Sequence, residues 1–237
     1  LYNYEKMRTD FVANVSHELR TPLSSIVGYI ETIKNDINLD KITTNKFLDI
    51  MEDQAWRMTR LVEDLLMLSK YEAGDKPLEL KETEIANILQ KAIDNLNKKI
   101  EDKKLKVNLN DLFTKKLISL NSDSIIQVFI NIIDNAIKYS DEGSEINIVL
   151  KQAILDDNAY VQVQIKDQGE GISNEHLNRL TERFDRIDKN RSRNLGGTGL
   201  GLSIVKHIIN RHNGKFTIES EINQGSTFTV YLPFEFN

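Results

Sequence analysis

The chain has 237 residues, 40% hydrophobic and 28% charged, which suits a globular protein with room for two modest domains. A net charge of -5 excludes the broad basic face of a nucleic-acid binder, so no nucleic-acid partner is expected. With no cysteine, a disulfide framework and a cysteine-based zinc site are both ruled out.

Residues 1–36 read as one helix, bent at Pro22, whose ring removes a helix hydrogen bond. Phe11, Val15, Leu19, Leu23 and Ile26 recur at spacings of three and four and form one apolar stripe. His17 lies off that stripe and should face solvent. Glu18 beside it can accept a ring proton, which leaves a neutral, nucleophilic nitrogen near pH 7. Arg20 adds positive charge for an incoming phosphoryl group, and Thr21, one turn on, shares the face of His17. The same residues also fit an ordinary solvated histidine. Asn35, Asp36, Asn38 and Asp40 mark a turn. A second helix runs from about Thr43 to Tyr71, with Phe47, Ile50, Leu61, Leu65 and Leu68 among its apolar residues. The two helices make an antiparallel hairpin whose stripe is left open. A second copy would close it into a four-helix bundle; packing of the stripe on the following domain is the alternative. A glycine and a proline in Ala73-Gly74-Asp75-Lys76-Pro77 place a linker at 74–77, between a hairpin at 1–73 and a second domain at 78–237.

The second domain mixes helix and strand. A short strand is expected over Leu78 to Lys81, then a helix from Glu84 to Lys103, and strands near Leu105 to Leu109 and Lys116 to Leu120. Asn121 or Ser122 caps a helix to Tyr139. Strands follow near Glu145 to Ala153 and Tyr160 to Asp167, turned by Asp156-Asp157-Asn158. A helix over Gly199 to Arg211 precedes a last strand pair, Lys215 to Glu221 and Ser226 to Leu232. Helices beside a mostly antiparallel sheet make a two-layer α+β sandwich.

Four local patterns carry chemistry. Asn131, Asn135 and Lys138 fall on one helical face, with Ile130, Ile133 and Ile137 on another, toward the core. Two amides and an ammonium suit a magnesium-bound phosphate, although a solvated polar face reads the same way. In Asp167-Gln168-Gly169-Glu170-Gly171 the carboxylate can accept from an exocyclic amine such as that of adenine, and the glycines admit close backbone approach. An ordinary turn is the alternative. Gly196-Gly197-Thr198-Gly199-Leu200-Gly201 opens directly into a helix, which suits phosphate cradling without matching a P-loop or a dinucleotide fingerprint. Between these, residues 184–195 are polar and carry Arg186, Lys189, Arg191 and Arg193, as expected of a lid over a nucleotide.

The stretch Ser16-His17-Glu18-Leu19-Arg20-Thr21-Pro22-Leu23 resembles the phosphoacceptor box of sensor histidine kinases of two-component systems. The four patterns above resemble that family's asparagine, first glycine, phenylalanine and second glycine boxes, in the family's order. Gly225-Ser226-Thr227-Phe228 resembles its final glycine element. Arg179 to Phe184 and the lid resemble sensors of the phosphate-regulon type. One departure is Asp185, where many relatives carry an aromatic residue; it bears on lid packing.

The resemblance implies a hairpin that dimerises as a four-helix bundle, followed by an ATP-binding sandwich of the gyrase, histidine kinase and mismatch-repair ATPase type. It implies ATP and Mg2+ as cofactors, with Asn135 the chief metal ligand and Asn131 beside it. Lys138 should contact phosphate and Tyr139 the nucleotide. Asp167 should read the adenine amine in a pocket shaped by Gly169 and Gly171. Gly197, Thr198, Gly199, Leu200 and Gly201 should line the phosphates, with Arg186 reaching them. Glu18 would be the general base for His17, and Thr21 would help dephosphorylate the regulator. The implied partners are a second copy and a response regulator receiver domain. No apolar run approaches bilayer length and no signal peptide is visible. The chain begins at Leu1, already in helical pattern. We read it as the cytoplasmic portion of an inner-membrane sensor, any membrane segment lying upstream. Two other readings stand beside the kinase: an ATP-driven conformational ATPase of the same nucleotide fold, and a non-catalytic dimeric scaffold for a regulator.

Overall fold

A computed structural model describes residues 2–36, 38–72, 78–114, 117–177, 179–185 and 197–234; the side chains of residues 2–8 and 72 are left aside. Helix α1 (Tyr2–Asn35) runs through Pro22 without a break, and α2 (Lys41–Glu72) returns alongside it. Asp40 starts α2. Its carboxylate accepts from the Ile42 and Thr43 N–H groups at 2.8 and 2.9 Å and from the Thr43 hydroxyl at 2.7 Å. The Thr43 hydroxyl above all, with these N–H groups, holds the Asp40 carboxyl below the usual range. Across the hairpin, Tyr29 and Phe47 rings lie 4.9 Å apart, and Glu18 pairs with Arg57. The linker expected at 74–77 lies outside the described residues.

The second domain differs from the sequence expectation in two places. Its first strand is β1 (Lys81–Glu84), not Leu78 to Lys81, because it is set by antiparallel pairing with β3 (Leu117–Leu120). The single helix expected over Glu84 to Lys103 is two, α3 (Ile85–Asn95) and α4 (Asn97–Asp102). The break falls at Leu96, whose N–H bonds back only three residues to Ile93, between two asparagines that favour turns. The apolar face nonetheless continues through Leu96, which is buried.

Five strands form the main sheet, in the order β2 (Lys106–Asp111), β4 (Glu145–Leu155), β5 (Asn158–Lys166), β7 (Gly225–Pro233), β6 (Lys215–Glu221). Only β2 and β4 are parallel. Asp156 and Asp157, both at positive φ of 48° and 62°, turn β4 into β5. Helix α5 (Ser122–Tyr139), capped by the Asn121 side chain on the Ser124 N–H, and α7 (Gly201–Arg211) cover one face of the sheet; α6 (Asn174–Leu177) is a single turn. Ile125, Phe129, Ile132 and Ile133 of α5 are sealed against Ile146, Ile148, Val163 and Ile165 of the sheet. This is the expected two-layer α+β sandwich.

The hairpin stripe divides. Leu61, Leu68 and Tyr71 join the core of the second domain, while Leu23, Val27, Ile30, Leu48 and Leu66 stay exposed. The docking is pinned by the Tyr71 hydroxyl on Ser124 Oγ at 3.1 Å and by His207 Nε2 on the Tyr71 carbonyl at 2.6 Å.

His212 holds the junction between α7 and the start of α5. Its Nδ1 donates to the Ile208 carbonyl at 2.8 Å and its Nε2 accepts from the Asn121 N–H at 3.2 Å. Complete burial pushes its pKa down, so it stays neutral in the fold. The unfolded chain takes up that proton first as pH falls below about 6.5. Stability present above that pH is therefore lost below it, by up to about 1.4 kcal/mol per pH unit. Denaturant midpoints measured from pH 7 to 5 should fall more steeply for the native chain than for His212→Gln.

Candidate active site

A cavity of about 350 Å3 opens between α5, the two glycine turns and α2. Helical periodicity puts Asn131, Asn135 and Lys138 on its wall, with Tyr139 at the end of the helix. Ile130 packs against the core as expected and, being only partly buried, also borders the cavity. The Asn131 amide is engaged: its nitrogen donates to the Gly201 carbonyl at 3.3 Å and its oxygen accepts from Gln127 at 3.2 Å. It thus ties α5 to the start of α7. Asn135 lines the cavity without a hydrogen-bond partner among the described residues, so its amide oxygen suits a hard cation. Lys138 pairs with Asp134, one turn back, which also receives Lys99 from α4. Burial pushes the Asp134 carboxyl up, but Lys138 and Lys99 outweigh it and the result is below the usual range.

Asp167 is only 3% exposed. Its Oδ1 accepts from the backbone N–H groups of Gly169 and Ser226 at 2.9 and 3.0 Å, which fixes the carboxylate and leaves Oδ2 for a donor. Burial outweighs both bonds and raises its pKa. Gly171 sits at φ +70°, and a Cβ there would lie 1.9 Å from the Glu221 carbonyl oxygen. The Gly169 expectation needs correcting. A Cβ on it would strike the Tyr139 carbonyl at 2.5 Å, so it packs on α5 and does not line the cavity.

Gly197, Thr198, Gly199 and Gly201 line the other side, where α7 begins. That helix starts at Gly201, two residues later than expected, because Gly199 is at φ +77° and its carbonyl accepts from the Phe184 N–H at 2.8 Å. Leu200 is fully buried in the core, so only its backbone belongs to the turn, which corrects its expected place in the lining. Arg186, with Lys189, Arg191 and Arg193, lies outside the described residues. Asp185 lines the cavity and accepts from Arg179 at 3.3 Å.

His17 is exposed and does not line the cavity. The Thr21 hydroxyl donates to the His17 carbonyl at 3.2 Å. The Glu18 carboxylate reaches across the hairpin to Arg57 at 3.1 Å, with both side chains largely buried. Six positions before His17, the Phe11 ring lies 5.8 Å from that of Phe184, and Arg183 sits 5.1 Å above Phe11. Phe184 holds a φ of 62°, rare for a bulky residue, so the surrounding contacts must enforce it.

Several wall residues went unread in the sequence. Asp134 was readable as the acid four positions before Lys138. Arg60, Glu63 and Asp64 of α2 carry no local signal, because only the docking of α2 brings them to the cavity.

Residues 7–74 match the family described as His Kinase A (phospho-acceptor) domain, and residues 120–236 match histidine kinase-, DNA gyrase B-, and HSP90-like ATPase. The phosphate regulon sensor protein PhoR of Pseudomonas aeruginosa is 38% identical over 232 residues, which is 98% of this chain and 51% of that protein. The chain therefore spans about half the length of that relative. The Acinetobacter baumannii histidine kinase AdeS superposes with a TM-score of 0.69 at 26% identity, over 93% of this chain and 98% of that one. The histidine kinase ThkA in complex with the response regulator protein TrrA shares the fold, with a TM-score of 0.76 at 24% identity, over 99% of this chain and 67% of that one. No helix among the described residues is long and apolar enough to cross a membrane.

Gly171→Ala should abolish nucleotide binding and lower the melting temperature, since both its φ and the Glu221 carbonyl forbid a side chain. Titration calorimetry with ADP and a thermal melt check this; native affinity in the variant contradicts it.

Proposed function

The chain belongs to the sensor histidine kinases, and on that premise we propose that it transfers the γ-phosphoryl group of ATP to His17 and thence to an aspartate of a response regulator. The observation that carries this reading is a pairing. An exposed imidazole stands on the hairpin, and a cavity ringed by Asn135, Lys138, Asp167 and glycine turns stands on the other body.

In the transfer, a neutral ring nitrogen of His17 attacks the γ-phosphorus. An N–P bond forms, the bond to the ADP oxygen breaks, and ADP leaves as the anion. Asp167 Oδ2 accepts from the adenine amine, held in place by the two bonds on Oδ1. Lys138 passes from Asp134 to phosphate, a short move between neighbouring anions. Asn135, with Asn131 beside it, would hold Mg2+, which supplies charge neutralisation at the phosphates. Glu18, next to His17 in the chain, would act as general base toward the ring, with its carboxylate oriented by Arg57 at 3.1 Å. In the second step the N–P bond breaks and the receiver carboxylate takes the phosphoryl group.

The exposed Leu23, Val27, Ile30, Leu48 and Leu66 support pairing of two hairpins into a four-helix bundle, because so large an apolar stripe is otherwise left in water. Thr21 shares the face of His17, which supports a part in removing phosphate from the regulator. Such a core works where ATP is abundant, on the cytoplasmic side of a sensor.

With γ-labelled ATP and Mg2+, the native chain should acquire acid-labile, base-stable label that His17→Gln lacks. ATP hydrolysis undiminished by that substitution would favour a conformational ATPase, and absence of nucleotide binding a scaffold. Asp167→Asn should keep its fold, since the amide oxygen still accepts from Gly169 and Ser226. It should lose at least about tenfold in nucleotide affinity, because a donor replaces the acceptor facing the adenine amine. Thr21→Ala should impair dephosphorylation of the regulator while leaving self-phosphorylation largely intact; equal loss of both counts against its role.

A further inference from the structure

Helix α2 does more than complete the hairpin. Three of its side chains, Arg60, Glu63 and Asp64, form one wall of the cavity. Asp64 reaches the second glycine turn, where its carboxylate accepts the Thr198 hydroxyl at 2.5 Å. A threonine hydroxyl has one proton. While Asp64 holds it, that proton cannot serve a phosphate oxygen at the same turn. Lys138, whose charge also acts on Asp64, is bound to Asp134 at the same time. Two side-chain donors at this end of the cavity, Thr198 and Lys138, are thus occupied by carboxylates. Glu63, beside Asp64, adds a negative charge and Arg60, one turn back, a positive one.

We propose that α2 is a built-in competitor of the nucleotide: docked as here, Asp64 stands in for a phosphate oxygen at Thr198, so docking of α2 and binding of a triphosphate exclude one another. The proposal rests on the reading of the cavity as a nucleotide site. The competitor is weak by construction. Burial raises the Asp64 pKa despite the Thr198 bond, and the acid has no directly bonded cation among the described residues. A polyphosphate carrying its own Mg2+ therefore displaces it readily. The far end of the docked helix is held by Tyr71 on Ser124 and His207 on Tyr71, none of which lines the cavity, so it can be loosened separately. The phosphate site would then report on α2: whatever shifts the hairpin changes nucleotide affinity, and bound nucleotide biases the hairpin in return.

The test is the affinity of the whole chain for a fluorescent trinitrophenyl-ATP with Mg2+, with melting curves to show that each variant is folded. Asp64→Asn should bind about fivefold tighter, and Tyr71→Phe about twofold tighter although it lies outside the cavity. Unchanged or weaker binding in Asp64→Asn overturns the proposal. So does tightening in Asp64→Asn with none in Tyr71→Phe, which would reduce Asp64 to a local repulsion. A native chain that binds no nucleotide removes the proposed function and the competitor with it. Binding without label on His17 removes only the kinase reading.

Discussion

Burial of Leu61, Leu68 and Tyr71 against the second domain is the contact on which the arrangement turns. Each such side chain contributes roughly 1.5–3 kcal/mol when fully removed from water, so the docking is worth on the order of 5 kcal/mol before its costs. Reversing a two-state balance from 1:99 to 99:1 takes about 5.5 kcal/mol of differential binding. The two bodies are thus joined firmly enough to adopt one arrangement and weakly enough for a ligand to change it. The imidazole stands in solvent on α1 and does not line the cavity, one wall of which is α2, so the proposed transfer would need the second domain to leave its present seat.

The cavity is arranged around exchangeable charge. Asp134 pairs with both Lys138, which is largely buried, and the more exposed Lys99, so the Lys138 ammonium is not left without a partner. Asp167 works the other way. Two backbone N–H groups fix one oxygen, and Gly169, Gly171 and Gly225 pack so closely on neighbouring backbone that none has room for a Cβ. One end of the site is therefore rigid and selective, suited to a base, and the other is a set of ion pairs that a polyphosphate can rearrange.

Much of this was legible in the residues. The face shared by Asn131, Asn135 and Lys138 follows from the helical repeat alone, as does the exposure of His17 off its stripe. The Asn121 cap and the Asp156-Asp157 turn were equally local. The errors cluster where distant partners decide. The first strand is placed by β3, not by its own composition. Apolar periodicity ran straight through Leu96 and hid a break that its neighbouring asparagines allow. The Arg57 that holds the Glu18 carboxylate lies 39 residues away and left no local signal. Leu200 and Gly169 sit within the right motifs, yet one fills the core and the other packs on Tyr139. Asp64 was invisible because its role exists only across the docked interface.

The nucleotide body is expected to occupy at least two positions relative to the hairpin. The chain has no cysteine, so spin labels can be placed cleanly at the exposed Ser24→Cys on α1 and Gln152→Cys on β4, with excess unlabelled chain to dilute pairs between copies. Distance distributions recorded with and without a non-hydrolysable ATP analogue and Mg2+ should show two populations whose ratio the nucleotide changes. A single distance, unmoved at saturating nucleotide, would contradict the account.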